Sequence, residues 1–246
     1  MKHVLATALL LTPPLAPVLA AGSPTSLAAF VEQFDAPPGP NRWRWEIGQP
    51  SHLERCTHAQ GLGGCADGIC RIGAVRVPAT EAAGDRDWLC ESMFTREQFG
   101  YGYFEARLAM APAPGFNSAF WLRAPINSAG EFCEIDIVEG HYPDEVNTNI
   151  HTHLDDLRSA PERFHLGSTD ADNSFHTYGL MFTTKLLAWY IDGKLVRSTD
   201  TPEVCRRDMR LRLSVAVLDW AGTVPEGISH AEMPVDYVLY VPEIDQ

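Results

Sequence analysis

The segment EFCEIDIVEGHY, residues 131–142, contains three acidic side chains whose type and spacing are compatible with catalysis. Successive side chains of a β-strand point to opposite faces, so Glu134 and Asp136 share one face and lie roughly 6–7 Å apart along the strand. Glu139 is out of step with them and falls on the other face. One extra residue, a β-bulge near Ile137 or Val138, would bring all three acids to the same face.

Like charges on one strand face do not serve stability, so the three acids need another explanation. A retaining glycosidase uses two carboxyl groups about 5–5.5 Å apart, one as the nucleophile and one as the general acid and base. Crowding separates the pKa values of such groups, so that one stays ionised while another stays protonated near neutral pH. A solvated acidic strand face and a calcium site, whose oxygen ligands cluster similarly, are the alternatives.

The acids must be positioned by strands, because short alternating segments follow one another along most of the chain. Asp192-Gly193 predicts a tight hairpin turn between two of them. This pattern is typical of an all-β sandwich or jelly roll. We expect one helical turn within residues 27–34, and an irregular region with a strand or two over residues 49–90. The predicted strand segments are 101–110, 118–124, 134–139, 147–153, 176–183, 186–198, 210–220 and 235–241.

Composition restricts the partners of the 246-residue chain, of which 45% is hydrophobic. Its 19 Lys and Arg residues against 32 Asp and Glu residues give a formal net charge of −13. That balance argues against nucleic acid or an anionic membrane as the main partner. It also argues mildly against a heavily sulfated or carboxylated polymer, although a local basic patch would override the net charge.

The N-terminus has the pattern of a secretory signal peptide, with Lys2, a short apolar run and several prolines. Small residues predict cleavage after Ala20, and the apolar run is too short to span a bilayer. We therefore expect a signal peptide over residues 1–20 and a single domain over residues 21–246. The mature protein is expected to be a monomer that is secreted or periplasmic.

Six cysteines fit an exported protein with disulfides better than a zinc site, because the short paired spacing of structural zinc sites is missing. The sequence does not select one of the fifteen pairings. A local bridge between two of Cys56, Cys65 and Cys70 is the favoured prediction. Cys133 falls on the strand face opposite the first acid, and Cys205 is its candidate partner.

The segment EIDIVE resembles the E-[ILV]-D-[IV]-x-E signature of glycoside hydrolase family 16, the laminarinase, lichenase, agarase and carrageenase group. The resemblance extends to further segments in the order of the family, over most of residues 30–241 and least over residues 49–90. These segments are FVEQFDAPPGPNRWRWEIG, FGYGYFEARLAMAPAPGFNSAFWLR, FHTYGLMFTTKLLAWYIDGKLV, RLRLSVAVLDWAG and MPVDYVLYV.

The resemblance implies a concanavalin-like β-jelly roll of two antiparallel sheets with a cleft on the concave face. It implies that Glu134 is the nucleophile, that Glu139 is the acid and base, and that Asp136 assists between them. No cofactor is implied for catalysis. A structural calcium ion is implied at Asp236, with its N-terminal counterpart near Glu32 or Asp35.

Substrate contacts are predicted on the elements around the motif. The resemblance places a histidine in the cleft, and His151 and His153 both remain candidates for that place. Exposed aromatic rings can stack on sugar faces. The predicted substrate-binding residues are Phe116, Trp121, Asn149, His151, His153 and Trp220.

These residues predict an exported, endo-acting retaining β-glycanase. Many β-1,3-glucanases of the family carry Trp-Pro where this chain has Asn117-Ser118, which is closer to the agarase and carrageenase branches. The acidity of the chain argues against a sulfated galactan, so neutral β-glucan and agar-type galactan both remain open. A transglycosylase on the same scaffold and a non-catalytic lectin are the alternative functions.

Overall fold

The structure is a computed structural model of the chain. It describes residues 29–48, 55–78, 80–82, 85–152, 158–159, 161–167 and 174–243. Nearly all regular structure in these residues is β-strand. Two single 3-10 turns, Glu203–Cys205 and Asp219–Ala221, are the exceptions among the elements described.

The strands are numbered in chain order and are short, as their alternating sequences predict. They are β1 (Phe30–Glu32), β2 (Trp43–Trp45), β3 (Cys56–Ala59), β4 (Gly64–Ala66), β5 (Ile69–Arg76), β6 (Trp88–Thr95), β7 (Gly102–Leu108), β8 (Phe116–Arg123), β9 (Cys133–His141), β10 (Glu145–Thr152), β11 (Arg158–Ser159), β12 (Glu162–His165), β13 (His176–Phe182), β14 (Leu186–Ile191), β15 (Lys194–Asp200), β16 (Arg210–Val217) and β17 (His230–Pro242).

Two sheets pack face to face around one apolar core. The first, which we call the inner sheet, has the antiparallel order β2–β6–β16–β8–β9–β10, and β11 and β12 pair with the free edge of β10. The second, the outer sheet, runs β15–β14–β13–β7–β17, and β5 and β1 pair with the far edge of β17. Strand β6 joins the two sheets, because its first half pairs with β5 and its second half with β16.

The expected two-sheet architecture is confirmed, with differences in detail. The segment from Phe30 to Glu32 is a strand paired with β17, so the helical turn expected over residues 27–34 is wrong for the residues described. Residues 55–78 and 85–90 hold more strand than predicted, and β3 runs parallel to β6. The hairpin turn is confirmed: Asp192 and Gly193 have positive φ angles of 49° and 71°, as a tight turn between twisted strands requires.

All six cysteines form disulfides, which excludes the zinc alternative. Cys65 bonds Cys70 within a hairpin, as the preference for a local bridge predicted. Cys133 bonds Cys205 behind the inner sheet, and the third bridge joins Cys56 to Cys90. In the part of the chain that the structure describes, we find no helix long and apolar enough to cross a membrane.

Candidate active site

Strand β9 bulges at the predicted place. Against β8, Val138 pairs with Phe120 and Asp136 pairs with Trp121, so Ile137 is an extra residue on β9. The register between β9 and β10 shifts at the same point. Ile137 and Val138 are both buried in the core. The bulge therefore restores the alternation, and Glu139 faces the same side of the inner sheet as Glu134 and Asp136.

A buried tryptophan of the outer sheet supports the bulge from behind. The indole N–H of Trp189 on β14 donates a 2.9 Å hydrogen bond to the backbone carbonyl of Asp136. Trp189 is fully buried, and the Arg197 guanidinium stacks on its ring at 4.4 Å. A bulge interrupts the ladder, so a donor from another element is needed for a carbonyl beside it. Trp189 supplies that donor.

The strand registers place four rows of side chains across the face that carries the acids, which we call the site face. In each row the residues come in the order β16, β8, β9 and β10. The rows are Arg210–Arg123–Glu134–His151, Arg212–Trp121–Asp136–Asn149, Ser214–Ala119–Glu139–Asn147 and Ala216–Asn117–His141–Glu145.

Glu134 and Asp136 share His151 as a neighbour. His151 Nε2 lies 3.2 Å from Asp136 Oδ2, and one ligand atom from each of the three side chains lies within 4.8 Å of the others. Arg123 Nε lies 3.9 Å from Glu134 Oε2. Glu134 therefore has a positive charge on its β8 side and a histidine on its β10 side.

Glu139 is held by a chain of polar contacts that the sequence interpretation did not include. The Asn117 amide donates a 3.0 Å hydrogen bond to Glu139 Oε1, and its oxygen lies 3.2 Å from His141 Nε2. His141 Nδ1 lies 3.2 Å from Glu145 Oε1. Asn117 and His141 share the face of Trp121 and Glu139 by alternation, so a strand-by-strand reading could have found both.

Burial raises the pKa of all three acids, but their neighbours differ. The pKa of Glu134 rises to about 7 through burial and the Asp136 charge, while Arg123, His151 and Arg212 oppose the rise. The pKa of Glu139 rises to about 8 through burial and the Asp136 charge, opposed by the Asn117 hydrogen bond and by His151. Burial also raises the pKa of Asp136. Glu134 thus has an arginine beside it that favours its ionised form, whereas the hydrogen-bond donor to Glu139 is a neutral amide.

A calcium ion at Asp236 stays a prediction. Asp236 Oδ2 accepts a 2.5 Å hydrogen bond from the Arg107 guanidinium, so this carboxylate already has a cationic partner. The suggested counterpart Glu32 accepts from the Trp43 indole at 3.0 Å. Among the described residues, the group of three side chains with metal-ligand spacing is Glu134, Asp136 and His151.

The predicted substrate contacts divide between the site face and the core. Trp121 is half-buried on the site face, where its indole donates to Ser214 Oγ at 3.0 Å, and Asn149 lies opposite Asp136. Trp220 is 58% exposed and contacts the His141 ring edge-on at 4.9 Å. Phe116 is a correction: it faces the core, fully buried against Trp88, because its parity on β8 is opposite to that of Trp121.

One candidate histidine lies on the site face, since His151 stands opposite Glu134 in the register of β9 and β10. His153 lies outside the described residues. Which of the two contacts substrate therefore stays a prediction, although the geometry makes His151 part of the acid cluster.

The two packed β-sheets form a jelly roll with three acids crowded on one face. The family model for glycosyl hydrolases family 16 matches residues 76–238. The chain belongs to this family.

Similar proteins support the same grouping. The chain is 34% identical over 137 residues to a beta-glucanase of Fibrobacter succinogenes, covering 54% of this chain and 39% of that protein. It is 32% identical over 170 residues to an endo-1,3-1,4-beta-glycanase of Rhizobium meliloti, covering 65% and 36%. The chain thus spans less than half the length of these relatives.

The fold matches that of solved enzymes. The laminarinase catalytic domain of Thermotoga maritima superposes with a TM-score of 0.77 at 23% identity, covering 88% of this chain and 98% of that domain. The expected β-jelly roll is confirmed by this likeness and by the strand order above.

Proposed function

We propose that the protein is an endo-acting retaining β-glycanase that hydrolyses a β-linked polysaccharide. The observation that carries the proposal is the bulged strand β9, which gathers Glu134, Asp136 and Glu139 on one sheet face. Family membership and the names of the relatives support a glycoside hydrolase.

The electrostatic differences support one assignment of roles. Arg123 favours the ionised form of Glu134, as a nucleophile needs. Glu139 has a neutral amide as its hydrogen-bond donor and a pKa raised to about 8, as a general acid needs. Paired acids whose environments separate their pKa values mark the acid and base assignments in a site.

The reaction then proceeds in two displacements. The Glu134 carboxylate attacks the anomeric carbon, the glycosidic bond breaks, and Glu139 donates its proton to the departing oxygen. A glycosyl ester on Glu134 results. Glu139 then takes a proton from water, the water oxygen bonds the anomeric carbon, and the ester bond breaks to free Glu134. Asp136 lies between them and 3.2 Å from His151. Its assigned role is to assist the nucleophile by sharing a proton.

A β-1,3- or mixed-linkage glucan is the substrate class that the names of the relatives favour, and an agar-type galactan is the competing class. Trp121 and the exposed Trp220 lie on two sides of the acids and are the proposed stacking platforms for sugar rings. Asn149 and His151 are the proposed polar contacts on β10.

Export is part of the proposal. Three disulfides are typical of proteins that fold in an oxidising compartment. They support a secreted or periplasmic protein, made with a signal peptide over residues 1–20 and a single catalytic domain over residues 21–246. We propose that it acts as a monomer and needs no cofactor for catalysis.

The test is a screen of laminarin, lichenan, agarose, κ-carrageenan and xyloglucan, with reducing ends and product sizes measured together. We expect the average chain length of one polymer to fall from the start of the reaction, as endo-acting cleavage requires. The Glu134→Gln variant should cleave that polymer at less than about a thousandth of the wild-type rate. Glu97→Gln, an exposed glutamate outside the site, is the matched control and should keep the wild-type rate. Binding without cleavage by the wild-type protein would identify a lectin instead.

A further inference from the structure

Three arginines of the site face lie together at the β16 end of the rows. Arg210 and Arg123 stand directly opposite each other on neighbouring strands, and Arg212 follows Arg210 on the same face. Directly opposed side chains have Cβ atoms about 4.5–5.5 Å apart, so two like charges there are destabilising. Burial and, to a smaller extent, the Arg123 charge lower the pKa of Arg212, and Glu46 opposes this.

The acids nearby do not balance this cluster. Glu46 pairs with Arg212 and also lies 3.4 Å from His58. Glu134 lies 3.9 Å from Arg123. Within the described part of the chain no carboxylate forms an ion pair with Arg210, whose Nε atom is buried without a hydrogen-bond partner. The Arg210 guanidinium therefore keeps N–H donors available for a ligand, and no carboxylate of the described residues neutralises its positive charge.

Aromatic rings lie among these guanidinium groups. Phe94 on β6 stands opposite Arg212, with the Arg212 guanidinium 4.9 Å from its ring and that of Arg210 at 5.8 Å. The Arg212 group also stacks on Trp121 at 4.4 Å. On the next strand the exposed Arg44 stands opposite Phe94. This end of the site face therefore places aromatic rings beside guanidinium donors for an anion.

We propose that Arg210 and Arg123 form a subsite for a negatively charged substituent, a sulfate ester or a carboxylate, on the polysaccharide. The inference rests on the proposed function and names a substrate class for that site. A guanidinium presents a planar fork that binds either group through two parallel hydrogen bonds. The subsite lies in the row of Glu134, so a charged sugar bound there adjoins the reacting bond.

The net charge of −13 does not oppose this inference. Charges farther away than about 8 Å are largely screened at physiological salt, whereas the arginines of the subsite would contact the anion directly. The net charge of the whole chain is thus a poor guide to the substrate. The arginines of the subsite determine whether an anionic sugar binds.

The test separates binding from cleavage. The acid variant Glu139→Gln keeps the polymers intact and leaves Glu134 beside Arg123. Its binding is measured by affinity gel electrophoresis in lichenan and in agarose, each unmodified, carboxymethylated or sulfated to the same degree. Arg210→Gln and the control Lys185→Gln are added to it. Lys185 is exposed in the β13–β14 turn of the outer sheet, so the two variants have equal net charge.

We expect one charged derivative to bind at least tenfold more tightly than its neutral parent. Arg210→Gln should reduce that preference about tenfold, while Lys185→Gln leaves it unchanged. The sulfated and carboxymethylated arms identify which anion fits. Equal binding of neutral and charged forms, no binding to any form, or a preference that survives Arg210→Gln overturns the inference. The proposed function fails separately, if the wild-type protein releases no reducing ends.

Discussion

Replacement of Asn117 by alanine should change the pH dependence of the enzyme by acting on Glu139. The Asn117 amide donates a 3.0 Å hydrogen bond to Glu139 Oε1, and this bond lowers the Glu139 pKa, which burial and the Asp136 charge raise to about 8. Removing the donor leaves His151 alone to oppose the effects that raise the pKa. The pKa of Glu139 should therefore rise further.

The size of the change follows from the strength of the bond. A hydrogen bond to a charged group contributes about 1.5–3 kcal/mol, and 1.36 kcal/mol corresponds to one pKa unit. Water that enters the space of the lost side chain restores part of the interaction. We therefore expect a rise of about one unit in the Glu139 pKa, and a fall of roughly tenfold in kcat because the acid is held less firmly.

The direction of the change in the pH profile follows from the first displacement, in which Glu139 must be protonated. The value of kcat/KM falls as the pH rises through the Glu139 pKa, so the alkaline limb of the profile should move up by about one pH unit. The acid limb, set by ionisation of Glu134, should stay within a few tenths of a unit. The assay is kcat/KM against pH on the polymer that the wild-type protein degrades.

Asn127→Ala is the matched control. Asn127 is exposed in the β8–β9 loop, and its amide donates to Glu131, which is not one of the three acids of the site. Its profile should equal that of the wild type. An alkaline limb that stays in place or moves down in Asn117→Ala, with an unchanged melting temperature, would refute the role given to Asn117.

Three further results are expected. Trp189→Phe keeps an aromatic ring but leaves the Asp136 carbonyl without its donor, so it should cost about 1–3 kcal/mol in unfolding free energy and lower kcat with little change in KM, as measured by denaturation and kinetics. Glu91→Gln should lower the melting temperature by roughly 5–10 °C in calorimetry, because the buried Glu91 carboxylate accepts four backbone N–H bonds and an amide cannot. Glu134→Ala should be folded by circular dichroism and inactive, and azide should restore cleavage of an activated glycoside with formation of the α-glycosyl azide, because azide then attacks in place of Glu134. Formation of the β-glycosyl azide would instead identify Glu134 as the acid and base.

The alternation of side chains along single strands was enough to predict which face of the sheet holds the three acids. The out-of-step position of Glu139 required a bulge, and the structure has an extra residue at Ile137. The same rule, applied to β8, places Asn117 and Arg123 on the face of Trp121, but neither was included in the predicted site. The predicted strand starts at residue 118 and so leaves Phe116 outside it, whereas Phe116 begins β8 and faces the core.

Other features depend on contacts between distant segments, which periodicity does not contain. The donor that supports the bulge, Trp189, comes from the other sheet and from a position 53 residues away. The pairing of Arg210 with Arg123 depends on the register of β16 against β8. The Asp236–Arg107 ion pair, which occupies the predicted calcium ligand, likewise joins residues 129 positions apart.

The anomeric configuration of the first product tests the central claim most directly. Proton NMR can follow the new reducing end during hydrolysis of the identified polymer, before mutarotation. Double displacement through Glu134 and Glu139 predicts that the β anomer appears first and that the α anomer follows by mutarotation. Initial appearance of the α anomer would mean a single displacement by water, and would contradict the roles assigned to both residues.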